Sequence, residues 1–168
     1  MYVIKRDGRE ELVHFDKITA RIKKLCYGLS AEHVDPVIVS QKVCMGVYKG
    51  VTTAELDELA AETAAHLTSD HPDFGMLAAR ISVSNLHKST DKLFSKTMDK
   101  LRKYTMPTTG KHAPLLSEEC HKFIMDNAER FDSAIVYERD MEYDYFGFKT
   151  LEVPTHTNTT QRVKSNIL

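Results

Sequence analysis

The sequence has little of what chemistry of its own would need. Its three cysteines, Cys26, Cys44 and Cys120, are scattered through 168 residues and odd in number. They indicate neither a disulfide framework nor a zinc site. Both glycine-built phosphate cradles are missing: there is no GxGxxG and no GxxxxGK followed by Ser or Thr. His66, His71, His87 and His112 stand at no metal-ligand spacing from cysteine or acid, and no Ser-His-Asp or Cys-His arrangement announces itself. A basic excess is lacking too. The formal net charge is -1, which argues against a general nucleic-acid binder and leaves only a small, locally recognised anion as ligand. No apolar run approaches a bilayer's thickness, and no signal-peptide core follows the charged start. The expectation is a soluble, cytoplasmic protein with no membrane partner. At 42% apolar residues, the length suits one domain with a real core, or a small domain plus part of a second.

What is present is a run of well-punctuated elements. Residues 2–5 and 10–13 alternate at period two around Asp7-Gly8, a hairpin signal. Asp16 reads as the N-cap of a first helix carrying Ile18, Ile22, Leu25 and Leu29, ending near Gly28. Asp35-Pro36 opens a second, with Val39, Val43 and Val47 on one face before Gly46 and Gly50. Thr52 and Glu55 form a capping box at the head of a third, whose alanines 60, 61, 64 and 65 permit close approach of a neighbour. His71-Pro72-Asp73 starts a fourth, expected to run to about Lys103. Ser117 caps a fifth carrying Cys120, Ile124 and Met125. The short apolar run 134–137 and the aromatic "YDYFGFKTLE" are expected to be extended. The last sixteen residues are rich in threonine and asparagine and have no period, so a disordered tail is expected.

Cations gather where an anion would be welcome. Lys5 and Arg6 end the first strand, and Lys17 falls in the first turn of the first helix. A lysine there opposes the helix dipole, and a bound phosphate would offset that cost. Thr53 and Asp57 lie four apart and share a face of the third helix. A hydroxyl beside a carboxylate suits a sugar edge. Lys88 on the long helix could add another charge. Each residue also has a plainer role, in a solvated surface or at a helix end, and the residues alone leave both open.

The segments "VIKRDGREELVHFDKITARIKKLCYGL", "VTTAELDELAAETAAHLTSDHPDFGMLAARISVSNLHK" and "FGFKTLE" resemble the N-terminal part of the eukaryotic class I ribonucleotide reductase large subunit. The resemblance runs from Met1 to about Glu152 and implies an ATP-cone over residues 1–92. That is a mainly α fold, a small β-hairpin cap on a four-helix bundle, with ATP or dATP bound between them as allosteric effector together with Mg2+. It implies no redox cofactor. By the same resemblance Lys5, Arg6 and Lys17 surround the triphosphate. Glu11, Leu12, Val13, His14, Phe15 and Asp16 form the strand and turn beside the nucleotide. Thr53 and Asp57 lie near sugar and base, and Lys88 is a phosphate contact.

Residues 93–152 resemble an incomplete start of the reductase catalytic domain, and 153–168 depart from the family. The family's radical and redox cysteines have no counterpart in Cys26, Cys44 or Cys120, so the chain is expected to be inactive as a reductase. In residues 104–152 the apolar Phe123, Ile124, Ile135, Val136, Phe146 and Phe148 are expected to lack their usual partners. Candidate partners are full-length large subunits or further copies of the chain. The alternatives are an incomplete product of an active reductase gene, or a cone-bearing transcription regulator, which would need paired CxxC motifs that are absent.

Overall fold

The computed structural model describes residues 2–152. Strands β1 (Tyr2–Ile4) and β2 (Glu10–Leu12) pair antiparallel with Val3 opposite Glu11. Gly8 at the turn has φ +84°, a conformation that glycine adopts without a Cβ clash. A third strand unforeseen from sequence, β3 (Val51–Thr52), runs parallel to β1, giving the order β2-β1-β3. Two residues are too few to carry a period, so only the tertiary pairing defines this strand.

Four helices stand beneath this sheet: α1 (Phe15–Lys23), α2 (Pro36–Met45), α3 (Thr53–His66) and α4 (Asp73–Ser89). The capping signals of α2 and α3 are present as bonds. Asp35 accepts from Val37 N at 2.8 Å, and Thr52 accepts from Glu55 N while Glu55 accepts from Thr52 N. Between α3 and α4 the meeting surfaces include buried Ala60, Ala61, Ala64, Ala78 and Ala79, so little side chain keeps the two helices apart. Ile22, Val39, Val43, Leu77 and Ile81 complete one continuous core. The fold is the expected hairpin cap on a four-helix bundle, with further helices after it.

Several boundaries differ from expectation. Asp16 is not the N-cap of α1; His14 holds that position without a side-chain bond, and Asp16 lies in the first turn, where its charge suits the dipole. α1 closes at Lys23, short of Gly28. The long fourth helix does not reach Lys103: Thr90 is extended, and α5 (Phe94–Arg102) follows as a separate helix. Ser117 does cap a helix, accepting from Cys120 N, but it is the sixth, α6 (Glu118–Asp126). The run at 134–137 forms no strand; it follows α7 (Ala128–Ala134). "YDYFGFKTLE" is not extended either. After a 3-10 turn at Tyr137–Glu142 it forms α8 (Tyr145–Glu152), with Asp144 Oδ1 accepting from Gly147 N at its start.

α8 returns to the bundle. Phe148 is fully buried with Val83 and Leu86 of α4, and Lys149 Nζ reaches Glu58 of α3 at 3.4 Å. His87 Nε2 and Asp140 Oδ2 stand 2.6 Å apart, joining α4 to the 3-10 turn. The expectation that all six apolar residues of 104–152 lack partners therefore fails for Phe148 and Ile124, both buried; Phe123, Val136 and Phe146 are exposed. Residues 153–168, read as a disordered tail, lie outside the described residues.

Candidate nucleotide cleft

The cap and the bundle enclose a cleft of about 530 Å³, a volume typical of small-ligand sites. Its floor is apolar, formed by Val3, Ile18, Ile22, Leu56, Ala60 and Ile81. Its polar lining carries six cations, Lys5, Arg6, Arg9, Lys17, Arg21 and Lys88, against three acids, Asp7, Glu11 and Asp57. A local charge of +3 thus sits in a chain whose formal charge is -1. Such a field favours a polyanion.

Ten residues singled out from sequence line this cleft: Lys5, Arg6, Glu11, Leu12, Val13, His14, Lys17, Thr53, Asp57 and Lys88. Phe15 and Asp16 do not; both are exposed at the start of α1. The cations divide into two groups, each around one carboxylate. Glu11 on β2 receives Lys5 at 3.1 Å and, through its other oxygen, Lys17 from α1. The two ammonium groups hold the Glu11 carboxyl down at about 2, Lys17 contributing most.

Asp57, buried on α3, is the centre of the second group. Its Oδ2 accepts from Arg6 Nη2 at 3.0 Å and lies 3.5 Å from Lys88 Nζ. Its Oδ1 accepts from Arg21 Nε at 3.3 Å. Arg6 also donates to Asn85 Oδ1, and Arg21 donates to Ser84 Oγ at 2.9 Å. Partial burial pushes the Lys88 ammonium below its usual range, against the pull of Asp57, with Arg21 and Arg6 adding repulsion.

Arg21, Ser84 and Asn85 were missed from sequence. A signal existed for two of them. Arg21 is four residues beyond Lys17 and Asn85 three before Lys88, so each shares a helix face with a residue already singled out. On α4 the chain also changes face within one turn. Ser84, Asn85 and Lys88 serve the cleft, while Val83, Leu86 and His87 meet the 3-10 turn and α8.

A cationic cap over an apolar floor, with a hydroxyl and a buried carboxylate at its far wall, defines a binding module for a small polyanion with a polar, hydroxylated body. The chain belongs to the ATP cone domain family, which matches residues 1–89, and that part is an adenine-nucleotide-binding regulatory module. Beyond the cone, the chain is 64% identical over 152 residues to the ribonucleoside-diphosphate reductase large subunit of Arabidopsis thaliana, covering 90% of this chain and 19% of that protein. It is 62% identical over 151 residues to the large subunit of Caenorhabditis elegans, covering 90% and 19%. The large chain of Neurospora crassa is 60% identical over 152 residues, covering 90% and 16%. The chain therefore corresponds to the N-terminal part of these proteins and spans about a fifth of their length.

Among the described residues no group of His, Cys, Asp and Glu is placed to hold a metal ion, and no helix is long and apolar enough to cross a membrane.

Proposed function

We propose that the cleft binds ATP and dATP as competing allosteric effectors and reports their balance to a ribonucleoside-diphosphate reductase large subunit. Lys5, Arg6, Lys17 and Lys88 receive the triphosphate, with Mg2+ bound to the phosphates rather than to a protein cage. Thr53 and Asp57 take the ribose and the edge of the base, and the apolar floor carries the adenine ring. The observation that carries this reading is the state of Asp57: a buried carboxylate ringed by three cations that a triphosphate can draw away, leaving an acceptor for a ribose hydroxyl.

The module carries out no reduction itself and uses no redox cofactor. Its partners are reductase large subunits or further copies of the chain, not nucleic acid or membrane, and it works in the cytoplasm. Identity continuing through 152 residues favours this setting over a free-standing regulator.

Calorimetric titration of the chain with ATP, dATP and GTP tests the reading. Both adenine nucleotides bind and GTP binds far more weakly; silence from all three overturns it. Asp57→Asn, which keeps the shape and removes the charge, blunts the distinction between ATP and dATP. Equal discrimination in the two proteins removes Asp57 from the role.

A further inference from the structure

We infer that Arg21 is the positioning residue that aims Asp57, and so sets how well the cleft separates ribose from deoxyribose. The inference rests on the nucleotide reading above and concerns the regulation of the same site.

Separating two nucleotides by one hydroxyl requires an acceptor fixed in direction, since a carboxylate free to rotate accepts from either ligand's surroundings. The two oxygens of Asp57 are held differently. Oδ2 takes both Arg6 and Lys88, whose side chains are 29% and 40% exposed. Both lie where incoming phosphates recruit them. Arg6 follows the last residue of β1 on the hairpin, and Lys88 is in the last turn of α4.

Oδ1 is held by Arg21 alone, from within α1. That guanidinium is occupied at both ends: Nε donates to Asp57 on α3 and Nη2 donates to Ser84 on α4 at 2.9 Å. A planar fork tied to two helices has little freedom to follow a phosphate. When phosphates draw Arg6 and Lys88 off Oδ2, Arg21 keeps Oδ1. The oxygen that opens toward the ribose is then always Oδ2, in one orientation.

Lysine cannot make this arrangement. It offers one ammonium in place of a fork and cannot span Asp57 and Ser84 together in the same plane. Arg21→Lys therefore separates charge from geometry, and Ser84→Ala loosens the far end while leaving Arg21 in place.

The test is calorimetric titration of the full chain and its variants with ATP and with dATP in excess Mg2+, melting temperatures being recorded alongside. The wild-type chain binds both with unequal affinities. Arg21→Gln and Arg21→Lys each bring the ratio of the two affinities to within about twofold of unity, because specificity is a difference between two binding energies. Ser84→Ala moves the ratio partway, and adding Asp57→Asn to Arg21→Gln changes it no further.

An Arg21→Lys protein with the wild-type ratio shows that charge suffices and overturns the inference. So does an Arg21→Gln protein in which both affinities fall together with the ratio intact, which is the mark of a merely structural residue. A wild-type chain that binds both nucleotides equally also overturns it. Failure of the wild-type chain to bind either nucleotide instead removes the nucleotide reading on which it stands.

Discussion

Glu11 and Lys5 are joined across the mouth of the cleft, Oε2 to Nζ at 3.1 Å, while the other Glu11 oxygen takes Lys17. This carboxylate presents one oxygen to each lysine, as a phosphate would. Its carboxyl is held at about 2, against an ordinary value of 4.5. A depressed acid of this kind stabilises the fold fully above its unfolded value, and the contribution is lost as pH falls through the folded one. Carboxyl-carbon NMR across pH 1.5–6 finds the Glu11 midpoint well below the usual range, and Lys17→Ala raises it more than Lys5→Ala. A midpoint near 4.5 in the wild-type chain means that the bridge does not form.

The same bridge makes Glu11 a competitor for any incoming phosphate. Removing its charge frees two lysines without altering the floor of the cleft. Glu11→Gln therefore tightens binding of tripolyphosphate, a probe with no base or sugar, by about two- to fivefold, the size of a solvent-reachable ion pair. The gain shrinks in high salt because screening weakens every partner alike. Weaker tripolyphosphate binding in the variant would mean that Glu11 orders the lysines rather than occupying them.

Thr52 ends β3 and caps α3 at once, and the helix it starts carries Thr53 and Asp57 into the cleft. Thr52→Ala removes the acceptor for Glu55 N and costs about 1 kcal/mol of stability. Because the loss is at the first turn, nucleotide affinity falls along with the urea midpoint. A variant as stable as the parent, with unchanged affinity, shows that the sheet alone fixes the start of α3.

Legibility from sequence followed the range of each interaction. Asp7-Gly8, Asp35-Pro36 and the Thr52–Glu55 box act within four residues, and the structure carries all three. Asp144 had the same local signal, three residues before Gly147, but the surrounding aromatics favoured an extended reading and hid it. The break after Ser89 has no proline or glycine to mark it. The polar stretch Ser89-Thr90-Asp91 is the only punctuation, and Asp91 gathers Lys96 and Lys100 beside the next helix. In the cleft, spacing found Lys17, Thr53 and Asp57. It could not show that Arg21 reaches 36 residues ahead to Asp57 and 63 ahead to Ser84, since such pairs exist only after α1, α3 and α4 have packed.

Phe148 and Phe146 differ by two residues and by nearly everything else. Phe148 is fully buried beside Val83 and Leu86, whereas Phe146 is 70% exposed. Phe148→Ala leaves a cavity in this small cluster and costs about 3–5 kcal/mol if the region unfolds with the bundle. Phe146→Ala stays within about 0.5 kcal/mol of the parent. Urea unfolding of both variants checks the contrast. Equal, small effects would mean that α8 detaches before the bundle unfolds, so that its packing is not part of the global transition.

The attachment of α8 also bears on where the chain can be cut. A division at residues 92 and 93, drawn from sequence, separates the cone from everything after it. Yet Phe148, the pair His87–Asp140 and the pair Lys149–Glu58 bring 137–152 back onto α3 and α4. The stretch between α5 and α6 has no such hold: Lys103, Met106 and Lys111 are exposed, in a turn closed by Gly110 at φ +63°. Proteases prefer exposed loop tips. Brief trypsin treatment therefore nicks the chain after Lys103 or Lys111, and the fragment ending beyond residue 140 stays with the cone through gel filtration, separating only in denaturant. A cone that elutes free of that fragment under native conditions would show that the return of α8 is too weak to hold without the covalent link.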